Sequence, residues 1–283
     1  MTVFEAYNHC KKKLQIAGVP DYGFEARALM RKATGYTNSQ ILSKYNQPLT
    51  AFQQNNLIAM IHQREARYPL QYMFGEWDFY GLPFRVGPGV LIPRADTETA
   101  VEQALELLKE TESPKVLDLC SGSGCIGISV AKNRSDATVS MVEKYKEALR
   151  YLEQNIELNE VKNCTVLQAD IFENPLADGK YHLIISNPPY VEAEEMPTLQ
   201  PEVGYEPDTA LYGGEDGLMF YRAIIDGYKN SLLPGGHIVF EVGEKQAAAV
   251  CGMLLEAGFE TVDTKKDLNG VVRVVFGTVK SIE

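Results

Sequence analysis

The chain has 283 residues, of which 45% are hydrophobic, and a formal net charge of −11. This is enough apolar sequence for one large or two ordinary domains, and the acidic balance argues against a protein whose main task is gripping a phosphate backbone. Its five cysteines are odd in number and form no Cys-x2-Cys pair, which supports neither a disulfide framework nor a metal site and fits a reducing cytoplasm; no signal core opens the chain and no apolar run approaches the ~20 residues of a membrane span.

Residues 1–75 read as a small helical bundle. Val3, Phe4, Tyr7, Leu14 and Ala17 share one face, and Gly18-Val19-Pro20 breaks that helix. Phe24, Ala28 and Leu29 begin a second stripe that ends near Gly35. Thr50 followed by Gln53 resembles a capping box, with Leu57, Ile58 and Ile61 beyond it. Lys11-Lys12-Lys13 reads as a solvated helix end, and His9 and His62 as structural helix positions.

From Glu76 the texture changes. Trp77 to Val86 carries aromatics and β-formers around a turn at Gly81, which predicts a β-hairpin in a linking stretch, residues 76–95. In Pro93-Arg94-Ala95-Asp96-Thr97-Glu98, Asp96 or Thr97 is placed to cap a helix over Thr99–Leu108. Residues 96–283 then alternate. Strands are predicted at Lys115–Leu119, Thr138–Val142, Cys164–Leu167, Tyr181–Ile185 and Gly236–Glu241, with helices between and after them. Strict alternation implies an α/β fold with a parallel sheet covered on both faces. Glu260–Asp263 and Val271–Phe276 close as a hairpin, so one of them must run antiparallel.

An open α/β sheet binds ligands at the carboxyl ends of its strands. Those ends carry Asp118 and a glycine turn, Glu143, Asp170 and Asn187. The turn reads Gly122-x-Gly124-x-x-Gly127, a bare match to a dinucleotide fingerprint, and Glu143 stands about 20 residues on, where an acid accepts ribose hydroxyls. The three acids would repel a pyrophosphate and attract a sulfonium cation, which favours S-adenosylmethionine over a dinucleotide. Asn187-Pro188-Pro189-Tyr190 stops its strand, because two prolines cannot continue a ladder. Alone it reads as a turn; in this setting it reads as acceptors beside an aromatic ring, a holder for a planar NH2 group. Asp170 reads as a helix cap or an adenine contact, Glu241 as a solvated end or a site wall, and Gly213-Gly214 and Asp216-Gly217 as turns flanking the cleft. His182 and His237 read as structural.

Asp118-Leu-Cys-Ser-Gly-Ser-Gly124 resembles motif I of class I methyltransferases, and Asn187-Pro-Pro-Tyr190 that of amino-methyltransferases. Leu91 to Glu98, Glu206 to Gly217 with Tyr221-Arg222, and Asp267 to Arg273 resemble the peptide chain release factor glutamine methyltransferases (the PrmC/HemK family), over essentially the whole chain. Cys120 departs from the pattern, standing where many methyltransferases carry the first glycine of motif I.

The resemblance implies a Rossmann-like, seven-stranded, mostly parallel sheet behind a bundle that recognises the release factor. It implies methyl transfer from S-adenosyl-L-methionine, yielding S-adenosyl-L-homocysteine, to the side-chain amide of the Gln in the Gly-Gly-Gln loop of class 1 release factors. A ribosomal-protein glutamine or a nucleic-acid adenine or guanine is the alternative acceptor. Asn187, Pro188 and Tyr190 are the implied catalytic residues. Asp118, Cys120, Ser121, Gly122, Ser123, Gly124, Glu143, Asp170, Ile171 and Asn187 are implied at the cofactor. Pro93, Arg94, Glu98 and Asn187 to Tyr190 are implied at the substrate. A cytoplasmic monomer is expected, without nucleic acid, membrane or metal.

Overall fold

The computed structural model describes residues 1–281. Its contacts divide into two compact units, residues 1–75 with 200–205, and residues 76–199 with 206 onward.

The first unit holds α1 (Val3–Ile16), α2 (Tyr22–Thr34), α3 (Asn38–Ser43), α4 (Ala51–Glu65) and α5 (Leu70–Phe74). Three of these helices begin with full capping boxes, Thr2 with Glu5, Thr37 with Gln40 and Thr50 with Gln53. In each box two orphan N–H groups of the first turn are satisfied reciprocally. Gly35 and Gly75 close α2 and α5 in the left-handed conformation that glycine takes without strain. Leu14, Leu29, Met30, Leu57 and Ile61 fill the core. The short segment 200–205 joins this unit because Arg64, only 3% exposed, needs counter-ions. Glu25 meets it at 2.6 Å and Glu202 at 2.7 Å, and Glu202 also takes Arg67 at 2.6 Å.

The second unit begins with a hairpin, β1 (Glu76–Phe79) and β2 (Leu82–Arg85). Tyr80 and Gly81 both have positive φ, 50° and 71°, as a two-residue turn matched to strand twist requires. Phe79 and Phe84 sink into the core of this unit. After α6 (Glu98–Leu107) come β3 (Lys115–Leu119), α7 (Cys125–Asn133), β4 (Thr138–Glu143), α8 (Lys146–Leu158), β5 (Cys164–Gln168) and β6 (Tyr181–Ser186). Then follow α9 (Met219–Tyr228), β7 (Leu232–Glu241), α10 (Ala247–Glu256), β8 (Thr261–Lys266) and β9 (Val272–Thr278).

The seven strands lie in the order β5-β4-β3-β6-β7-β9-β8. All neighbours are parallel except β9, which is antiparallel to both β7 and β8, so β9 is the reversed strand of the closing hairpin. One core lies on each face of the sheet. The chain runs outward from β3 through β4 to β5, then returns to place β6 on the other side of β3, which makes β3 and β6 the switch point. Their register pairs Leu119 with Ser186. The next residues, Cys120 and Asn187, therefore leave the sheet side by side. Among the described residues no helix is long and apolar enough to cross a membrane.

Candidate active site

A cleft opens at the carboxyl ends of β3, β4, β5 and β6. Its lining includes Pro93, Arg94, Cys120 to Ser123, Glu143, Asp170, Ile171, Asn187 and Pro189. The structure thus brings together residues far apart in the sequence, from Gly89 to Phe220.

The floor is the loop after β3. Cys120, Gly122 and Gly124 all have positive φ, 60°, 55° and 79°. At Gly124 an added Cβ would also meet Ile128 Cδ1 at 2.9 Å and Leu152 Cγ at 3.1 Å, so glycine is required there on both counts. Cys120 holds the left-handed conformation without being glycine, at a cost of about 1 kcal/mol. This is the physical content of its departure from the motif: the small thiol fits, and the backbone carries the strain. Burial pushes its pKa well above the usual thiol range, so it is no thiolate nucleophile at neutral pH.

Asp118 does not face the cleft. It is fully buried, and its Oδ2 accepts from the Gly127 N–H at 3.0 Å, tying α7 to the end of β3. Its Oδ1 has no partner. Burial raises its pKa to about 7 against the opposing pull of the Gly127 N–H and Ser121. Glu143 is the acid that shapes the loop: Oε2 accepts from Gly122 N at 2.8 Å and Oε1 from Tyr145 N at 2.8 Å. Burial raises its pKa too, against those backbone donors. The third acid is Asp170. It lines the cleft and caps a 3-10 turn, accepting from Phe172 N at 3.1 Å. Burial works to raise its pKa, but the ion pair with Lys144 at 2.6 Å and the Phe172 N–H together outweigh that and leave it lowered.

Asn187-Pro188-Pro189-Tyr190 is held from outside the strand. Gln246 donates to the Tyr190 carbonyl at 2.8 Å, and Val191 N donates to Leu211 O at 2.8 Å. Tyr190 is not among the lining residues of the cleft; its hydroxyl lies 3.5 Å from Glu241 Oε1. Glu241 is buried, so of its two sequence readings the solvated end is the wrong one. The Asn187 Nδ2 donates to Thr97 Oγ1 at 3.3 Å. Among the described residues, no hydrogen bond occupies Asn187 Oδ1 or the Pro188 carbonyl.

The stretch before α6 differs from expectation. Neither Asp96 nor Thr97 makes a side-chain cap to the helix; Asp96 pairs with Arg273 at 3.1 Å, and the Thr97 hydroxyl turns to Asn187. Glu98 is not in the cleft lining, because its carboxylate accepts from Tyr80 N at 2.7 Å and anchors the hairpin.

Sequence reasoning missed Glu206 as a site residue, although it stands in a quoted motif. It is 4% exposed, accepts from Ile92 N at 2.8 Å and pairs with Arg94. It therefore holds Pro93 and Arg94 against the cleft, while Pro207, Thr209 and Ala210 beside it form part of the wall. Glu206→Ala leaves a buried N–H without an acceptor and strips Arg94 of its counter-ion. Because Arg94 is 37% exposed, most of the cost comes from the N–H, and a loss of about 2–3 kcal/mol is expected. A urea midpoint measures it; an unchanged midpoint would mean the 90–97 stretch keeps its place without Glu206.

The cations of the wall, Lys144 and Arg94, are each paired with an acid, and the remaining charged residues of the lining are the acids Glu143 and Asp170. That suits a nucleoside that carries positive charge and repels one that carries phosphates.

Comparison with known proteins follows the same division of the chain. Residues 5–75 match the family model of the PrmC N-terminal domain, and residues 85–201 that of the methyltransferase small domain. A release factor glutamine methyltransferase of Thermodesulfovibrio yellowstonii is 42% identical over 81% of this chain and 83% of its own. One from Fusobacterium nucleatum is 36% identical over 96% of this chain and 77% of its own. Among solved structures, a 16S rRNA methyltransferase of T. thermophilus in complex with AdoMet and guanosine aligns at a TM-score of 0.53. It is 21% identical over 72% of this chain and 50% of that one, and it shares the Rossmann-like class I methyltransferase fold.

Proposed function

The chain belongs to the release factor glutamine methyltransferase family, and we propose that its methyl donor is S-adenosyl-L-methionine and its acceptor the Gln side-chain amide of the Gly-Gly-Gln loop in class 1 peptide chain release factors. The observation that carries this reading is the pair of unoccupied acceptors, Asn187 Oδ1 and the Pro188 carbonyl, leaving the switch point beside the glycine loop. When bound, S-adenosyl-L-methionine supplies an electrophilic methyl group on a sulfonium sulfur and leaves as S-adenosyl-L-homocysteine.

The residues divide the remaining work. Glu143 keeps unshared lone pairs for the ribose hydroxyls while its other pairs hold Gly122 and Tyr145. Asp170 and Ile171, both in the cleft lining, would hold the adenine. The loop from Cys120 to Gly124 approaches the ligand through its backbone, which is why left-handed residues recur in it. Asp118 supports that loop from behind.

An amide nitrogen is a poor nucleophile, because its lone pair is delocalised into the carbonyl. Asn187 Oδ1 and the Pro188 carbonyl accept its two N–H groups, turn the lone pair toward the methyl, and stabilise the positive charge that develops. Tyr190 and Pro189 pack beside the amide plane. The proton leaves after transfer, so no strong base is required. Positioning and preorganised dipoles supply the rate. Pro93 and Arg94 flank the entering loop of the protein substrate, and the helical unit, residues 1–75, recognises the rest of the release factor in the cytoplasm.

The purified protein with methyl-labelled S-adenosylmethionine is expected to label a class 1 release factor, and to lose that labelling when the Gln of its Gly-Gly-Gln loop is changed to Ala. Ribosomal protein and RNA are offered in parallel. Equal labelling of the Ala variant, or label on RNA alone, would overturn the glutamine assignment.

A further inference from the structure

We propose that Gln246 is a positioning residue of the transfer site and that it works as a donor: its side-chain amide fixes the Tyr190 end of Asn187-Pro188-Pro189-Tyr190, and with it the direction of the Pro188 carbonyl. The proposal rests on the reading of that motif as the clamp for a substrate amide. Gln246 stands 56 residues beyond Tyr190 in the chain and is not in the cleft lining.

The motif needs an outside donor because of its own composition. Its upstream end is fixed by the sheet: Ser186 pairs in register with Leu119, and its hydroxyl donates to the Leu119 carbonyl at 2.6 Å. Beyond Asn187 the ladder stops. Pro188 and Pro189 carry no N–H, so across them the segment can be held only through carbonyls, and the Pro188 carbonyl is the one reserved for the substrate. The proline rings fix φ at both positions, which leaves rotation about ψ as the main freedom. A bond at the downstream carbonyl limits that freedom. Gln246 supplies it: Nε2 donates to the Tyr190 carbonyl at 2.8 Å and to the Gly217 carbonyl at 3.3 Å.

Gln246 is itself held in one orientation. Its Oε1 accepts from Gly243 N at 3.1 Å, and the Tyr221 hydroxyl lies 3.4 Å from the same oxygen. Two carbonyls on one side and an N–H on the other leave a single assignment of the amide's nitrogen and oxygen. Two glycines make the room. A Cβ at Gly217 would meet Gln246 Nε2 at 2.3 Å and the Tyr190 carbonyl oxygen at 2.4 Å, and one at Gly243 would meet Gln246 Oε1 at 2.9 Å. Gln246 is 7% exposed, so water does not substitute for these partners. The end of the motif, the turn at Gly217, the turn after β7 and α9 therefore meet on one buried amide.

Gln246→Leu removes the amide. Gln246→Glu keeps its shape and the acceptor for Gly243 N, but sets a carboxylate oxygen against the Tyr190 and Gly217 carbonyls. Both are expected to lower kcat on the release factor by on the order of tenfold or more, while the Kd for S-adenosylmethionine stays within about threefold, since the partners of Gln246 lie outside the glycine loop. The Glu variant carries a further signature. A protonated carboxyl donates once, so its kcat relative to wild type should rise as the pH falls, whereas that of Gln246→Leu should not. The groups facing that carboxyl are the Tyr221 hydroxyl of α9, the Glu192 side chain beside Gly217 and the carbonyls already named; Glu244 and Lys245 of the turn after β7 are exposed. Burial among these oxygens raises its pKa. Wild-type kcat in Gln246→Leu, a loss of cofactor affinity equal to the loss of kcat, or a Gln246→Glu rate ratio that does not change with pH would overturn the proposal. The anchor can also be read with no acceptor substrate. In protein labelled with 15N-glutamine, the side-chain NH2 signal that is missing from Gln246→Leu should exchange with water on the order of tenfold more slowly than that of an exposed glutamine such as Gln15. Equal exchange overturns the anchor whatever the substrate is. Slow exchange in a protein that methylates no release factor overturns the substrate reading and leaves Gln246 as the anchor of the motif.

Discussion

Asn187→Ala is expected to lower kcat by on the order of 10²-fold or more while leaving affinity for S-adenosylmethionine within a few-fold. In the proposed scheme the side chain contributes one acceptor to the substrate amide and none to the loop that would cradle the cofactor. Among the described residues its side chain hydrogen-bonds only to Thr97, so truncation leaves the backbone of the motif in place, still held through the Gln246 bond to Tyr190 O. The loss should therefore appear in the chemical step. Single-turnover methylation measures that step, and calorimetry with S-adenosylmethionine measures the affinity. Turnover within a few-fold of wild type would remove Asn187 from the mechanism; equal losses in turnover and cofactor affinity would make it a structural residue.

Gly213→Ala should be nearly as damaging, although Gly213 touches neither ligand in the proposed scheme. A Cβ there would stand 2.6 Å from the Tyr190 Cα, 2.8 Å from the Tyr190 carbonyl carbon and 2.8 Å from the Pro189 carbonyl oxygen. All three are backbone atoms, so no side-chain rotation relieves the overlap. Two hydrogen bonds pin Gly213 at the same time, from its own N–H to Val191 O at 2.8 Å and from Met219 N to its carbonyl at 3.1 Å. The motif must move by several tenths of an ångström, and displacements of that kind in a positioning site cost on the order of tenfold to 10²-fold in kcat. Far-ultraviolet circular dichroism should stay near wild type while single-turnover methylation slows. A variant that keeps the wild-type rate would show that the motif tolerates displacement.

The parts legible in the sequence are those coded locally. The apolar runs of β3 and β6, the glycines after β3 and the two prolines after β6 each announce themselves within a few residues, and together they fixed the fold class and the pairing of the glycine turn with Asn187. What could not be read was the wiring across long separations. Thr97 looked like a helix cap because threonine before a helix usually is one; its bond to Asn187 depends on how α6 lies against the end of β6. Glu98 was implied at the site by family resemblance alone, yet its carboxylate serves the hairpin turn. Glu206 and Arg94 meet over a separation of 112 residues, and nothing in either local sequence points to the other. Glycine 213 read as a turn residue, whereas the neighbouring motif backbone leaves it no room for a side chain.

The grouping of residues 200–205 with the helical unit bears on how such enzymes can be recombined. A chimera joined once, at Gly75, would import a new bundle and keep the old Glu202. Arg64, almost wholly buried, would be replaced by whatever the donor bundle carries at that position, while the carboxylate that serves it stayed behind in the recipient. Transplanting the helical unit between relatives therefore takes two segments moved together, the first 75 residues and the six-residue strap, which are distant in the gene and packed as one unit.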